Sequence, residues 1–488
     1  MKQIMGKLLV AIILLLIGRG VAAAATAGCD GSGNCYIYAS ASGSGNGSSW
    51  TNAYTGFGSG SGKVNPASMA RGVTYWIAAG SYGSVTFSTG DSGTSVITLE
   101  GATTASHGSA TDWNSSFAGQ ALFGSGGIAI TTDYWTINGQ AVTGCSYPSN
   151  STSCYSLKFQ NPTNGGGQAV QLGNSSNLTN LTIEYAEVLG TNTQGSAYSD
   201  EGIDCTPQCS QTYIGYSWIH NVGSDNLSFN ENGGDLLTLE YDWISYNHVG
   251  LNSTHSQCIQ STMGSMIIRY NVWQDCQSSG AITDAAGGNA PLTDWEIYGN
   301  IFFWDAAWNA EFTGNGAVGY DDGIVGLFSV ANSGGTVKMY NNTIAGLNLA
   351  SSQNCNGYAI YITQGSVVGT VENNLWYNFN SNCAAGAGNT GTYDYNAYYN
   401  VAGGKSDSGS HSTSSSTNPF ANPTALTVAG FELTSDTTAG ITLAAPYNGD
   451  MLGVTRAADG TWDRGALQIG SASSTLTPPA SLTVTSVQ

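Results

Sequence analysis

Seven stretches of this chain repeat one arrangement. Apolar residues alternate with others, a Tyr, Asn or Gly follows, and a small or polar residue leads into a further apolar group. The stretches are Leu181–Val188, Tyr213–Ile219, Leu237–Ile244, Met266–Trp273, Trp295–Phe302, Val337–Ile344 and Gly369–Trp376. Aligned on Tyr185, Tyr216, Tyr241, Tyr270, Gly299, Asn341 and Asn373, they recur at spacings of 31, 25, 29, 29, 42 and 32 residues. Ile137-Asn138-Gly139 is an earlier copy. Period-two alternation of β-branched and aromatic residues predicts a strand at each stretch.

A second short strand is expected after most of them. These are Gly202-Ile203-Asp204, Asn226-Leu227-Ser228, Cys258-Ile259-Gln260, Ala281-Ile282-Thr283, Ile324-Val325 and Ala359-Ile360-Tyr361. An antiparallel sandwich would carry hairpin signals every 8–12 residues or so, and a propeller would repeat at roughly 40–50 with four strands per blade. Repeats of uneven length, rich in Gly and Asn and without helical periodicity, suit a coil of short strands whose turns vary. The fold expected is all-β, a right-handed parallel β-helix over residues 28–470. Within it, 401–417 reads as a Gly/Ser-rich loop, and 471–488 as a Ser/Thr/Pro-rich tail.

The segments Cys35–Trp50 and Arg71–Gly83 resemble the opening of secreted bacterial β-helix proteins of the pectate-lyase-like superfamily. MIIRYNVWQDC and WEIYGNIFFW resemble that family's rungs. Asn418-Pro419-Phe420, Phe431-Glu432-Leu433 and Trp462-Asp463-Arg464-Gly465-Ala466 resemble its closing segment. The resemblance spans roughly residues 35–470. It implies a solenoid whose partner is a polysaccharide or other glycan, but fold alone does not fix an activity.

Charge and targeting narrow the partners. Lys2 and Lys7, the apolar run Leu8–Ile17 and Ala25-Thr26-Ala27 read as a signal peptide over residues 1–27. The chain is therefore expected outside the cell. Ala27-Gly28-Cys29 also suits lipoprotein processing, with Thr26 a poor fit to that signal. Removing Lys2, Lys7 and Arg19 leaves 8 Lys and Arg against 31 Asp and Glu, a formal charge of −23. Such a surface repels nucleic acid. No later segment is long and apolar enough for a membrane span. A monomer is expected.

Ten cysteines in an exported chain read as disulfides. Sequence-local pairing would join Cys29–Cys35, Cys145–Cys154, Cys205–Cys209, Cys258–Cys276 and Cys355–Cys383. A zinc site is not expected, because Cys205-x3-Cys209 lacks a second ligand pair at matching spacing.

Stacked rungs bring distant residues into one groove, and the second strands carry acids: Glu201 and Asp204, then Asp225, and later Asp321 and Asp322. Paired carboxylates serve glycoside cleavage, one protonating the leaving oxygen while the other stays ionised. They equally chelate Ca²⁺, or cap turns. Glu201-Gly202-Ile203-Asp204 resembles the first acidic motif of polygalacturonases. Asp225, His248 and Arg269 fall near three further motifs of that family. Asn226, Asn247-His248-Val249 and Tyr270-Asn271 depart from the pattern.

A lyase would need a cation and a base, for which Arg269 with Ca²⁺ and His255 are the candidates. The catalytic set expected is thus Glu201, Asp204, Asp225, His255 and Arg269. His248, Trp243 and Trp273 would bind substrate, the rings stacking on sugar faces or else filling the core. The reading is glycosidic-bond cleavage, by hydrolase or lyase, in a groove along the central rungs. The alternative is a non-catalytic glycan-binding, adhesion or structural protein.

Overall fold

The computed structural model describes residues 29–161, 167–190, 201–229, 235–247, 257–276, 281–284, 292–305, 323–327, 333–347, 358–362, 366–379, 390–405 and 407–470. Short strands follow one another around a coil and pair in parallel with the same strands of the next turn. One turn reads Gln168–Gly173, Leu178–Glu184, Ala186–Leu189, and the next reads Glu201–Thr206, Cys209–Gly215, Trp218–His220. Three parallel sheets result, and the chain is a right-handed parallel β-helix. Among the described residues, sheet I has nine strands, from Val85–Phe87 to Tyr358–Ile362. Among the same residues sheet II has twelve, from Asn34–Ile37 to Thr390–Asp394, and sheet III twelve, from Gly80–Ser81 to Thr413–Ser415. Among the described residues, no helix is long and apolar enough to cross a membrane.

The repeating stretches are not single strands. Each spans a strand of sheet II, a corner and a strand of sheet III. Leu181–Val188, for instance, straddles Leu178–Glu184 and Ala186–Leu189. The corner is the aligned Tyr, Asn or Gly. Tyr185, Tyr216, Tyr241, Tyr270, Asn341 and Asn373 have φ of 52–60°, and Gly299 has 66°. Left-handed backbone costs a non-Gly residue about 1–2 kcal/mol, so something must offset it at each rung.

Two stacks do. Tyr185, Tyr216 and Tyr241 lie face to face, with centroids 4.8 and 5.0 Å apart. Just after the corner runs a buried asparagine ladder: Asn271, Asn300, Asn342, Asn374 and Asn396. The Oδ1 of Asn300 accepts from the Asn271 backbone N–H at 3.0 Å, and its Nδ2 donates to the Ile268 carbonyl at 2.9 Å. The next three rungs repeat this pattern. Backbone groups that a turn would leave unpaired are satisfied by the adjacent rung.

The interior is filled by in-register apolar rows. In sheet II, Ile183, Ile214, Leu239, Ile268, Ile297, Met339 and Val371 stack one per rung, all buried. The C-terminal segment folds back over sheet III, where Phe420, Phe431, Met451 and Leu467 pack with Val272, Ile301, Phe303 and Leu375. Residues 401–417, read from sequence as a loop, contain the last strand of sheet III. They also bring the buried Asp407, which accepts from Asn396, Tyr398 and Ser412. Four disulfides join Cys29–Cys35, Cys145–Cys154, Cys205–Cys209 and Cys258–Cys276, while Cys355 and Cys383 lie outside the described residues.

Candidate active site

The central strands of sheet I send one register row, Val170, Ile203, Leu227, Ile259 and Ile282, into the core. The position after each faces outward, and parallel register lines up Gln171, Asp204, Ser228, Gln260 and Thr283, one per rung. A second row forms where each strand leaves its turn. Gln168 pairs with Glu201, and the Gly202 N–H donates to the Asp225 carbonyl of the next rung at 3.0 Å. Gly202 permits that approach, since a Cβ there would lie 2.4 Å from the Asn226 carbonyl oxygen.

Three of the expected acids converge here. Burial, and then the charges of Asp204 and Asp225, push the Glu201 carboxyl up to about 8, although Gln168 and Ser228 hydrogen-bond to it. Burial pushes Asp225 up to about 7, with the Asp204 charge adding to the effect. Asp225 accepts the Gln257 backbone N–H at 2.6 Å. Asp204 accepts from the Gln171 amide at 2.7 Å and from the Thr206 hydroxyl at 2.9 Å. Glu201 is the most open of the three, whereas Asp204 and Asp225 are 5% and 3% exposed. Asp204, held by two neutral donors, thus stands beside two carboxyls whose hold on a proton is raised by burial. That arrangement can donate and accept a proton at one locus.

The remaining expected residues are placed elsewhere or lie outside the described set. His248 and His255 are outside it. Arg269 does not join the acids. It stands on sheet II in the row Glu184, Gly215, Glu240, Arg269, Tyr298, where it forms an ion pair with Glu240 and donates to the Tyr298 hydroxyl. Its length and charge serve the buried Glu240, which also accepts from the Tyr213 hydroxyl at 2.7 Å.

Trp243 and Trp273 are not a sugar platform. Trp273 is 1% exposed inside the solenoid, stacked on Phe302 with centroids 5.5 Å apart. Trp243 faces outward on sheet III but is 3% exposed, covered within the cluster that includes Phe420 and Phe431, and its indole N–H donates to Gln274 at 3.0 Å. Asn226, where polygalacturonases carry a second acid, is fully buried and donates to the Ile219 and Ser245 carbonyls.

Sequence reading missed Gln168, Gln171, Thr206 and Ser228, the neutral groups that hold the acids. A signal did exist: Gln168 and Gln171 precede Glu201 and Asp204 by one rung with the same three-residue offset.

No protein-family model matches the chain, and no curated protein matches it. A solved structure to which it is similar in fold is that of the pectate lyase Pel9A, at 14% sequence identity and a TM-score of 0.47. That similarity covers 89% of this chain and 96% of the other. It says nothing about chemistry.

Proposed function

We propose that this chain is an exported glycoside hydrolase whose site is the Glu201, Asp204 and Asp225 cluster on sheet I. The observation that carries the reading is the convergence of three carboxyls in two environments. Hydrolysis of a glycosidic bond needs one protonated acid at the leaving oxygen and one ionised partner on the sugar or its attacking water. Glu201, the most open and held protonated, is assigned as the general acid. Asp204, held by two neutral donors, is assigned as the partner that acts on the sugar or its attacking water. Burial of Glu201 and then the charge of Asp204 favour retention of the proton on Glu201 until it is transferred, with Asp225 adding to the effect when it ionises.

A lyase reading is less favoured because Arg269, its candidate cation, is spent on Glu240. Four disulfides support export, since such bonds persist in oxidising compartments. The test is incubation of the purified chain with a polysaccharide panel, reading reducing ends and unsaturated uronate in parallel, with Ca²⁺ and with chelator. New reducing ends without unsaturation, unaffected by chelator and abolished in Asp204→Asn, are expected. Unsaturated products would replace this reading with a lyase. Binding without cleavage across the panel would replace it with a glycan-binding protein.

A further inference from the structure

We propose that the disulfides Cys205–Cys209 and Cys258–Cys276 are positioning devices of the acid site, each fixing the place of a donor that binds one of its carboxyls. The proposal rests on the site reading above and concerns how that site is held in shape.

The carrying observation is where the two bonds fall. Cys205 lies between Asp204 and Thr206, and the Thr206 hydroxyl sits 3.1 and 2.9 Å from the two Asp204 oxygens, donating to that carboxyl. Cys258 directly follows Gln257, whose backbone N–H donates to Asp225 at 2.6 Å. These donors belong to different rungs, yet each has a bonded cysteine as its immediate neighbour. Among the described residues, Cys29–Cys35 and Cys145–Cys154 have no donor to a site carboxyl beside them.

The rung before shows that the coil makes this turn without a disulfide. Register sets Leu172 opposite Cys205 and Leu178 opposite Cys209, and all four are buried. Two leucines close the earlier turn by packing, whereas the rung that carries Glu201 and Asp204 closes a shorter one by a covalent bond. So small a ring restrains little of the unfolded chain, because loop-closure entropy grows with the length closed. Its effect is local. Thr206 pairs with Gly173 on one side, but on the other the strand Leu227–Phe229 is registered only with Ile203 and Asp204. The bond steadies the strand end where that pairing stops.

Cys258–Cys276 joins the two ends of a single turn of the coil. Cys258 leads into Ile259–Ser261 of sheet I, and Cys276 follows Val272–Gln274 of sheet III. The bond thereby fixes where the chain enters that turn, and with it the place at which the Gln257 N–H meets Asp225 of the turn before. Hydrogen bonds weaken steeply as they bend, so a donor on a slackened segment no longer serves its carboxyl.

The experiment is carbon-13 NMR titration of the full exported chain with labelled Glu and Asp carboxyls, assigned by signals lost in Glu201→Gln and Asp225→Asn. Cys258→Ala with Cys276→Ala slackens the Gln257 donor, so Asp225 should titrate above its value of about 7. The rise expected is about 0.5–1 pH unit, the worth of one hydrogen bond; entry of water would move Asp225 down instead. Cys205→Ala with Cys209→Ala withdraws the Thr206 hydroxyl from the Asp204 charge, so Glu201 should titrate below about 8. Thr206→Val should give the same fall and add nothing to the cysteine pair, because both act through one hydroxyl. Thr206→Ser should keep the parent value, and Cys145→Ala with Cys154→Ala should move neither group. An unmoved Glu201 in the folded Cys205→Ala/Cys209→Ala chain, additivity with Thr206→Val, or an Asp225 that stays or falls overturns the proposal. Should a cysteine pair not fold, one glycine inserted after Thr206 slackens the turn inside an intact bond, and the Glu201 criterion decides. None of these titrations needs turnover. An inactive chain whose carboxyls respond in this way upholds the positioning and removes the hydrolase reading, and an active chain whose carboxyls ignore both bonds does the reverse.

Discussion

Replacing Asp242 with Asn is expected to stabilise the protein, and more at alkaline than at acid pH. Asp242 sits at the head of the asparagine ladder, one rung before Asn271, and is fully buried. Its Oδ1 accepts the Ser217 N–H at 2.8 Å, as each ladder residue accepts from the rung before it, but its Oδ2 has no partner. At the equivalent position Asn271 donates its Nδ2 to the Leu239 carbonyl at 3.0 Å, and since Leu239 is in register with Ile214, the corresponding carbonyl for residue 242 is that of Ile214. A carboxylate there would face a carbonyl oxygen. Burial holds the Asp242 carboxyl well above its ordinary range, with Glu240 and Glu184 adding to the effect.

The sign follows directly. Unfolded Asp ionises at pH ~3.9, whereas the folded group keeps its proton to higher pH. Folding therefore takes up a proton between those two midpoints, and stability is lost as pH rises through that window, at about 1.36 kcal/mol for each pH unit. Asn carries no titrating proton and supplies at every pH the donor that the carboxyl offers only while protonated. Filling one buried unsatisfied position is worth about 1–3 kcal/mol. Urea unfolding of both proteins at pH 5 and pH 8 measures it. A gain at pH 8 that shrinks at pH 5 is expected. A variant less stable at both, or one with a gain independent of pH, would refute the account of Asp242 as a protonated intruder in the ladder.

Three other outcomes are expected. Asp204→Asn removes the charge that helps hold the proton on Glu201, so Glu201 should titrate below its value of about 8; any residual hydrolysis should lose its alkaline limb at lower pH, as a pH–rate profile would show. Asn300→Ala leaves the Asn271 N–H and the Ile268 carbonyl unpaired in the interior and should cost about 3 kcal/mol in urea unfolding. Trp273→Ala opens a core cavity and should cost about 3–5 kcal/mol while leaving polysaccharide hydrolysis unchanged in protein that remains folded, since the ring is 1% exposed.

The coil and the identity of its corners were legible along the chain, because both are local. Period-two alternation survives in every rung, and the aligned Tyr, Asn and Gly positions are the left-handed corners. Taking each stretch as one strand missed the corner within it, since a single left-handed residue leaves the apolar alternation nearly intact on both sides. The second strands were legible for the same reason, and with them the acids of sheet I.

What the chain alone could not decide was which residues share a height and which face is covered. Repeat lengths from 25 to 42 residues mean that spacing does not determine register; backbone pairing between rungs does, and it set Glu201 beside Asp225 while carrying Arg269 to another sheet. Trp243 reads as an outward strand residue and is one, yet it is buried because the C-terminal segment returns to pack over sheet III. Alternation reports the direction of a side chain relative to its own strand. Whether water, a neighbouring rung or a distant segment meets that side chain depends on the assembled coil, and so the candidate site emerged only from the tertiary structure.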